Sequence, residues 1–560
     1  MFDEELRIKS LTMKYKILII LLIIIFPAAS KSQSLKFTRQ DSVRGSVTPE
    51  RSWWDLKYYH LDIEVNPADS SINGTNTVTY SVTEPGTVLQ IDLQPPLILK
   101  SALQNGKELK IKHDGNAHFI TLYDKQLPGT VRSLVLIYGG KPKVARRPPW
   151  DGGITWKRDK NNKPFIASSC QGDGASLWWP CKDHMYDEPD SMMISVTVPD
   201  NLVDVSNGRL RSVVTDRKKK TKTYNWFVSN PINNYGVNIN IGDYVNFSEI
   251  FQGEKGPLEC DYWVLRENLE KAKVHFKQVP MMLKAFEHWF GPYPFYEDSY
   301  KLVDAPYLGM EHQSSITYGN GYQNGYLGND LSGTGLGLTW DFIIVHESGH
   351  EWFANNVTYR DIADMWIHES FINYSESLFI EYYSGKEAGA EYVRGTRRGI
   401  RNDRPITGVY NVNYEGSGDM YPKGGNMLHT LRQILNDDVK WRSILRGLNT
   451  DFYHQVVTGA QVEEYIITKT GLDLKSFFDQ YLRDVRIPVF EYLVKENEIV
   501  FRWNNCVPRF NMPLKIMVAG KPVIVKPSTG WTTIKSETPA PDVEVDKDYY
   551  VASMNMMGIK

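Results

Sequence analysis

Residues 345–351 read VHESGHE and place two histidines, His346 and His350, four positions apart, with Glu347 directly after the first. On an α-helix this spacing brings both imidazoles to one face, about one turn apart, so both can bind the same ion. Glu347 lies close to that ion but is rotated off the ligand face, where a general base is needed. The alternative is a solvated helix face that carries two histidines. The stretch predicts a helix with a candidate metal site.

A third ligand follows in the next segment. Eighteen residues separate His350 from Glu369, with a connecting loop over 356–365 and a second helix predicted over 368–383. Two antiparallel helices joined in this way bring Glu369 opposite the histidines. Two imidazoles and one carboxylate, with a fourth position left to water, form the ligand set of a hydrolytic zinc site. We therefore predict one zinc ion held by His346, His350 and Glu369.

Three further polar residues lie near this constellation in the sequence. Glu376 follows Glu369 by two helical turns, and it is either an acceptor for a ligand imidazole or an exposed carboxylate. His368 and His312 have the chemistry of metal ligands, but a tetrahedral site is already filled without them. We expect both histidines to line the pocket or to contribute to packing.

The length and composition of the chain limit its fold and its partners. A chain of 560 residues is too long for one hydrophobic core, so two to four domains are expected. The formal net charge of −2 leaves no basic excess for neutralising phosphates, which argues against nucleic acid as a partner. We predict an α+β, multidomain fold class.

The first 34 residues are predicted to be a signal peptide and N-terminal extension. Lys14 and Lys16 precede an apolar run over 17–26, and residues 27–30 (PAAS) offer small side chains for cleavage. The run is shorter than the ~20 residues that a membrane-spanning helix needs. We therefore expect export to the periplasm or the medium. An uncleaved membrane anchor is the alternative.

Residues 35–256 are predicted to form an antiparallel β domain. Leu61, Ile63 and Val65 alternate with polar residues, and turn signals such as Asn-Gly and Pro-Gly recur at short intervals. Cys170, which lies in this region, is eleven positions from Cys181. The two cysteines form either a disulfide or two buried free thiols.

The pattern becomes helical over residues 257–486 and returns to short alternating strands over 487–560, where we predict a small β sandwich. Helices are predicted over 265–289 with an interruption near Pro280, and over 338–355, 368–384, 424–436, 459–469 and 474–484.

At the metal-site residues the sequence closely resembles the gluzincin aminopeptidases, the family of aminopeptidase N and leukotriene hydrolase. The two-histidine helix, the eighteen-residue gap and Glu369 match that family, and residues 350–355 (HEWFAN) are similar to its H-Q-W-F-G-N. The resemblance implies that residues 257–486 are a thermolysin-like zinc catalytic domain. We do not expect the large C-terminal helical domain of the family in this chain.

Residues 308–312 (LGMEH) are similar to the G-x-M-E-N motif of the family, with departures at the first and last positions. The resemblance implies that Glu311 binds the free α-ammonium of a substrate, and that Gly309 and Met310 also line its binding site. A buried carboxylate beside the ion would pair with that cation and set cleavage one residue from the terminus. The two departures concern the shape of the S1 pocket.

Two further segments resemble family motifs. Residues 420–425 (MYPKGG) are similar to Y-E-K-G, which implies that the Tyr421 hydroxyl donates to the oxyanion of the intermediate. The alternative is a tyrosine that only begins a helix. The segment beginning Cys170-Gln171 is similar to one whose glutamine reaches into the active site, which implies that Gln171 also contacts the N-terminal residue.

The resemblance implies a zinc metallo-aminopeptidase that acts on peptides with a free N-terminus. In that mechanism zinc-activated water attacks the scissile carbonyl, and Glu347 is the general base. The alternatives are an endopeptidase, a non-catalytic peptide-binding module and an epoxide hydrolase on the same fold. The preferred N-terminal residue and the oligomeric state stay open, and membrane attachment is expected only if the signal segment is not cleaved.

Overall fold

The computed structural model describes residues 35–557, and Gln40 onward forms one compact unit. The predicted signal peptide and extension, residues 1–34, lie outside the described residues. Among the described helices, none is both long and apolar enough to cross a membrane.

Residues 54–265 consist mainly of β-strands, and two short helices precede them. These elements are α1 (Arg39–Gly45), α2 (Pro49–Ser52), β1 (Trp54–Asn66), β2 (Ser71–Val82), β3 (Gly86–Asp92), β4 (Ile98–Gln104), β5 (Lys107–Glu108), β6 (Lys110–Asp114), β7 (Ala117–Gln126), β8 (Val131–Gly140), β9 (Gly153–Arg158), β10 (Pro164–Ser169), β11 (Ser191–Pro199), β12 (Val203–Ser206), β13 (Arg209–Asp216), β14 (Thr221–Val228), β15 (Ile239–Gly242), β16 (Tyr244–Gly253) and β17 (Gly256–Leu265).

The largest sheet has eight strands in the order β13-β14-β11-β1-β2-β8-β4-β5. Smaller sheets have the orders β12-β15-β10-β9 and β3-β7-β6. The alternation predicted for Leu61, Ile63 and Val65 is confirmed, since all three are buried in β1. The expectation of purely antiparallel pairing is wrong for β1 and β11, which run parallel. A parallel pair needs a long crossover, and here it includes the strands of the other sheets.

The next region is mainly helical and contains the metal-site motif. Its elements are α3 (Leu269–His275), α4 (Gln278–Phe290), β18 (Tyr300–Asp304), β19 (Gly309–Met310), β20 (Ile316–Tyr318), α5 (Phe342–Gly349), β21 (Val357–Tyr359), α6 (Trp366–Ser384), α7 (Lys386–Thr396), α8 (Pro422–Leu435), α9 (Asp438–Asp451), β22 (Gln455–Val457), α10 (Gly459–Thr470) and α11 (Lys475–Arg483).

Several of these bounds differ from the predicted ones. The interruption expected near Pro280 lies before it, between α3 and α4, because proline is tolerated in the first turn of a helix. The predicted loop 356–365 contains the short strand β21, which pairs in parallel with β22. Helices α7 and α9 were not among those predicted.

The C-terminal strands are β23 (Val489–Lys495), β24 (Glu498–Asn504), β25 (Leu514–Val518), β26 (Lys521–Val525), β27 (Thr532–Lys535), β28 (Val543–Val545) and β29 (Ala552–Asn555). They form a four-stranded sheet, β27-β24-β23-β29, and a three-stranded sheet, β26-β25-β28. Buried side chains from both sheets belong to the same hydrophobic core as the helical region.

A second hydrophobic core lies within the N-terminal β sheets. The regions that contain the two cores are joined by a five-stranded sheet, β16-β17-β18-β20-β19, whose strands come from both sides of residue 257. A β-rich first part followed by a helical part is the α+β organisation predicted from the sequence. The predicted domain limits themselves stay a prediction. The edge strand β19 ends directly before Glu311. This sheet therefore positions residues 308–312, the segment similar to G-x-M-E-N.

Candidate active site

The metal-site helix α5 begins at Phe342 because Asp341 caps it. The Asp341 carboxylate accepts hydrogen bonds from Ile343 N at 2.9 Å and Ile344 N at 3.1 Å, which satisfies two otherwise unpaired amides of the first turn. The predicted helix 338–355 was therefore too long at its start. It was also too long at its end, because Ala354 has φ 154° in the wide turn after Gly349.

His346 near the end of α5, His350 directly after that helix and Glu369 of α6 lie close together. His346 Nε2 lies 3.8 Å and His350 Nε2 3.5 Å from Glu369 Oε2. All three side chains are buried. Gly349 permits this approach, since a Cβ there would lie 3.2 Å from Ile372 Cδ1 on α6. The three residues form a cluster with the geometry of a metal site.

Hydrogen bonds fix the orientation of both imidazoles. His346 Nδ1 lies 2.9 Å from Glu376 Oε1, and His350 Nδ1 lies 3.0 Å from the carbonyl oxygen of Phe353. Because both partners are acceptors, each Nδ1 carries the proton and each Nε2 presents its lone pair to Glu369. Glu369 Oε2 is buried and has no hydrogen-bond partner within residues 35–557. An oxygen without a partner opposite two imidazole lone pairs fits a divalent cation such as zinc.

Glu376 contacts a predicted ligand rather than solvent. It is fully buried, accepts from His346 through Oε1, and accepts from the Tyr392 hydroxyl through Oε2 at 2.8 Å. Of the two alternatives for this residue, the acceptor of a ligand imidazole is the one observed. His368 and His312 are both buried outside the cluster, and His368 Nε2 accepts from Tyr359 N at 3.0 Å.

Glu347 faces the cavity beside Gly309 of β19. A Cβ on Gly309 would lie 2.7 Å from Ile343 Cγ2 and 2.9 Å from Glu347 Oε1, so only glycine fits without displacing these side chains. Removal from bulk water raises the pKa of Glu347 to about 7, against the opposing effect of His346. Met310 follows Gly309 and is also buried at the cavity wall.

Glu311 lies beside the cluster and is held by the β-rich part of the chain. Its Oε1 accepts from Gln171 Nε2 at 2.6 Å and from the Tyr235 hydroxyl at 3.2 Å. Gln171 Nε2 also lies 3.2 Å from Glu369 Oε1, so one amide contacts both carboxylates. Burial raises the pKa of Glu311. A cation bound between these groups would favour their ionised forms.

Tyr421 precedes α8 and stacks on His346, with ring centroids 6.1 Å apart and planes at 21°. Burial and the nearby Glu369 carboxylate raise the pKa of Tyr421, so its hydroxyl keeps its proton. Two glycines bring α8 close to α6. A Cβ on Gly424 would lie 2.0 Å from Ser370 Oγ, and one on Gly425 would lie 2.4 Å from Asn373 Oδ1.

These side chains line one cavity of about 590 Å³, a size typical of ligand pockets. Its floor carries the carboxylates of Glu311, Glu347, Glu369 and Glu376. So many carboxylates in one buried site require cations, either a metal ion or a positively charged substrate group. At its outer edge lie three residues that the sequence patterns did not single out, namely Trp150, Leu331 and Arg401.

The cysteines take no part in the cavity. Among the described residues, all four cysteines are free thiols. Cys170, Cys181 and Cys260 are buried, and Cys506 is half-buried. Burial raises the pKa of Cys170, which leaves it protonated and unreactive. The disulfide alternative for Cys170 and Cys181 is therefore not observed.

Comparison with known proteins shows which family the helical region is similar to. Residues 275–481 match the peptidase family M1 domain. The helical region is similar to a peptidase family M1 domain. This range contains both predicted helices of the metal site and Tyr421, whereas Gln171 comes from the β-rich part before it.

Several characterised proteins extend the similarity over most of the chain. Aminopeptidase N of Lactobacillus helveticus is 23% identical over 490 residues, which cover 79% of this chain and 52% of the relative. Leukotriene A-4 hydrolase of Xenopus laevis is 21% identical over 450 residues, which cover 75% of this chain and 69% of that protein. The chain spans about half the length of the aminopeptidases first matched, 52%, 44% and 51%.

The fold of the helical region and the β sheets before it is similar to that of solved structures. An M1 zinc metallopeptidase mutant of Deinococcus radiodurans bound to a Tyr-Ser-Ala substrate has a TM-score of 0.67 at 21% identity. The match covers 79% of this chain and 97% of that one. At 21% identity this similarity shows a shared fold only. The roles of individual residues are inferred from the geometry of the cavity.

Proposed function

We propose that this protein is a zinc metallo-aminopeptidase that removes the N-terminal residue from peptides. One observation carries the proposal: the His346–His350–Glu369 cluster and the Glu311–Gln171 pair face the same cavity. A carboxylate beside the metal site suits a free α-ammonium, and binding it there restricts cleavage to the first peptide bond. The similarity to several aminopeptidases supports the same activity.

Each residue of the site has a proposed task. His346, His350 and Glu369 hold one zinc ion, which when bound polarises the scissile carbonyl and makes hydroxide available at neutral pH. Glu347 accepts a proton from the attacking water and donates it to the leaving amine.

The remaining residues bind the substrate or shape the cavity around it. The Tyr421 hydroxyl donates to the oxygen that becomes negative during the attack. Glu311, supported by Gln171, holds the amino terminus, and Gly309 leaves room for Glu347 beside it. Met310 contributes an apolar wall.

The proposal includes two features outside the active site. Export through residues 1–34 is supported by the basic start, short apolar run and small residues of that segment. A small C-terminal β sandwich is supported by the two sheets formed by β23–β29.

The direct test is turnover of an aminoacyl anilide by the full chain, measured with and without a chelator, together with zinc content by mass spectrometry. We expect one zinc ion per chain and chelator-sensitive release of the anilide. N-acetylated peptides separate the rivals, because an endopeptidase would cleave them and an aminopeptidase would not. Zinc without turnover of any substrate would instead support a non-catalytic binding module.

A further inference from the structure

The outer edge of the cavity carries a single cation, Arg401. Among the described residues that line the cavity, it is the only lysine or arginine. The floor, by contrast, carries four glutamates. The cavity is therefore polarised, with negative charge at the metal site and one positive charge at the edge.

The Arg401 guanidinium has no hydrogen-bond or ion-pair partner in the described part of the chain, unlike those of its neighbours. Arg394 pairs with Asp548. Arg397 donates to Asn426, Arg398 to two backbone carbonyls, and Arg404 to Tyr414 and Gly416. Five arginines occur between residues 394 and 404, and the one without a partner is the one that lines the cavity.

The backbone of Arg401 is nevertheless held in place. The buried Asp419 carboxylate accepts from Arg401 N at 2.9 Å and from Asn402 N at 2.6 Å. Asp419 lies in the turn that ends at Tyr421, so this clamp fixes Arg401 on the same wall as Tyr421. Gln171 and Glu311 make up a separate pair that comes from other segments of the chain.

The geometry points to Arg401 as the residue that binds a carboxylate of the peptide on the leaving-group side of the scissile bond. This inference rests on the proposed aminopeptidase function. A short peptide is positive at its amino end and negative at its carboxyl end, and the cavity offers a partner of opposite charge for each. Planar guanidinium groups bind carboxylates through paired hydrogen bonds. The substrate class is therefore short peptides with a free C-terminus or with an acidic residue after the scissile bond.

The experiment compares matched substrates that share one N-terminal residue. They are an aminoacyl anilide, peptide acids of two to four residues, the corresponding C-terminal amides, and amides with aspartate after the scissile bond. Wild type is compared with Arg401→Ala, Arg401→Lys and, as a matched charge control, Arg217→Ala in the exposed turn between β13 and β14. The Arg401→Ala chain keeps its backbone bond to Asp419, so it should fold, and its Tm checks this.

We expect wild type to prefer the acid over the amide at one or more lengths. Arg401→Ala should lower kcat/KM for the preferred acid about tenfold, mostly through KM, because a charge-assisted hydrogen bond is lost. Arg401→Lys should restore part of the preference, and Arg217→Ala should behave as wild type. If acidic side chains rather than the C-terminus are recognised, the aspartate amide alone should show the effect.

The anilide has no carboxylate and separates this inference from the proposed function. Arg401→Ala should turn it over at the wild-type rate. Equal rates on acids and amides at every length, together with no preference for the aspartate amide, would overturn the role of Arg401 while leaving the aminopeptidase intact. An equal loss on all substrates would also overturn it. Failure of wild type to cleave even the anilide would contradict the proposed function itself.

Discussion

The floor and the edge of the cavity are built in opposite ways. On the floor, His346, His350 and Glu369 are 6%, 1% and 1% exposed, and each imidazole is held by a hydrogen bond at Nδ1. At the edge, Trp150 and Leu331 are 67% and 41% exposed. A buried floor whose imidazoles are held by hydrogen bonds keeps one geometry, whereas exposed side chains at the edge can adapt to different partners.

We expect the floor of the cavity to carry out the chemistry and the edge to determine which substrates bind. Changes on the floor should affect metal binding and kcat, because they alter groups that act on the reacting atoms. Changes at the edge should affect KM and the ranking of substrates. Variants of floor and edge residues therefore test this division.

After loss of the base at Glu347, the largest effect is expected at Glu311, the residue proposed to bind the substrate amine. Glu311→Ala should lower kcat/KM for an aminoacyl anilide by about 100-fold or more, since the substrate ammonium would be buried without its partner. Zinc content should not change. Glu391→Ala, an exposed glutamate on α7, is the matched control. Wild-type rates in Glu311→Ala would remove this residue from the site.

A smaller but metal-specific effect is expected at Glu376. Glu376→Ala removes the acceptor of His346 Nδ1 and should weaken zinc binding by about 10- to 100-fold. Competition with a chromogenic chelator measures this affinity. Excess zinc should restore most of the turnover. Unchanged affinity would mean that the imidazole is oriented by other contacts.

An effect on kcat without loss of metal is expected at Gly309. Gly309→Ala places a methyl group against Glu347 and Ile343, and a displaced base should lower kcat about tenfold. Gly530→Ala, where the nearest atom would lie 3.7 Å away, is the control for adding the same methyl group. Loss of zinc in Gly309→Ala would instead indicate that the ligand helix itself moves.

The smallest effect is expected at the edge. Trp150→Ala should raise KM for peptides about threefold, which corresponds to the loss of one aromatic contact, and should leave kcat and zinc content unchanged. Steady-state kinetics on a tripeptide measures both constants. A fall in kcat as large as that of Gly309→Ala would break the division between floor and edge.

The parts of the site that could be predicted from sequence are those with helical spacing. The interval between His346 and His350 translates directly into geometry, because a helix repeats every 3.6 residues. The gap before Glu369 spans a turn and β21, so its geometry depended on the expectation of two antiparallel helices. The role of Glu376 stayed undecided, since spacing shows which face a side chain occupies but not what covers that face. Its contact depends on how α5 and α6 cross.

Helix α9 and the cavity-edge residue Arg401 were both missed in the sequence analysis, but only the helix has a recognisable sequence signal. Helix α9 has a clear signal, with Trp441, Ile444, Leu445 and Leu448 all buried at helical spacing. Arg401 has none, since it is one of several arginines in a row and only the fold selects the one that faces the cavity. Residues at an edge are brought together by tertiary structure, and local pattern carries little information about them.

The central claim is that Glu347 acts on water at a zinc site that does not depend on it for binding. The most direct measurement is zinc content together with anilide turnover for Glu347→Gln, which keeps the shape of the side chain and removes its basic carboxylate. We expect one zinc ion per chain and a fall in kcat of about 1,000-fold. Wild-type turnover with zinc bound would contradict the account, as would loss of zinc from the variant.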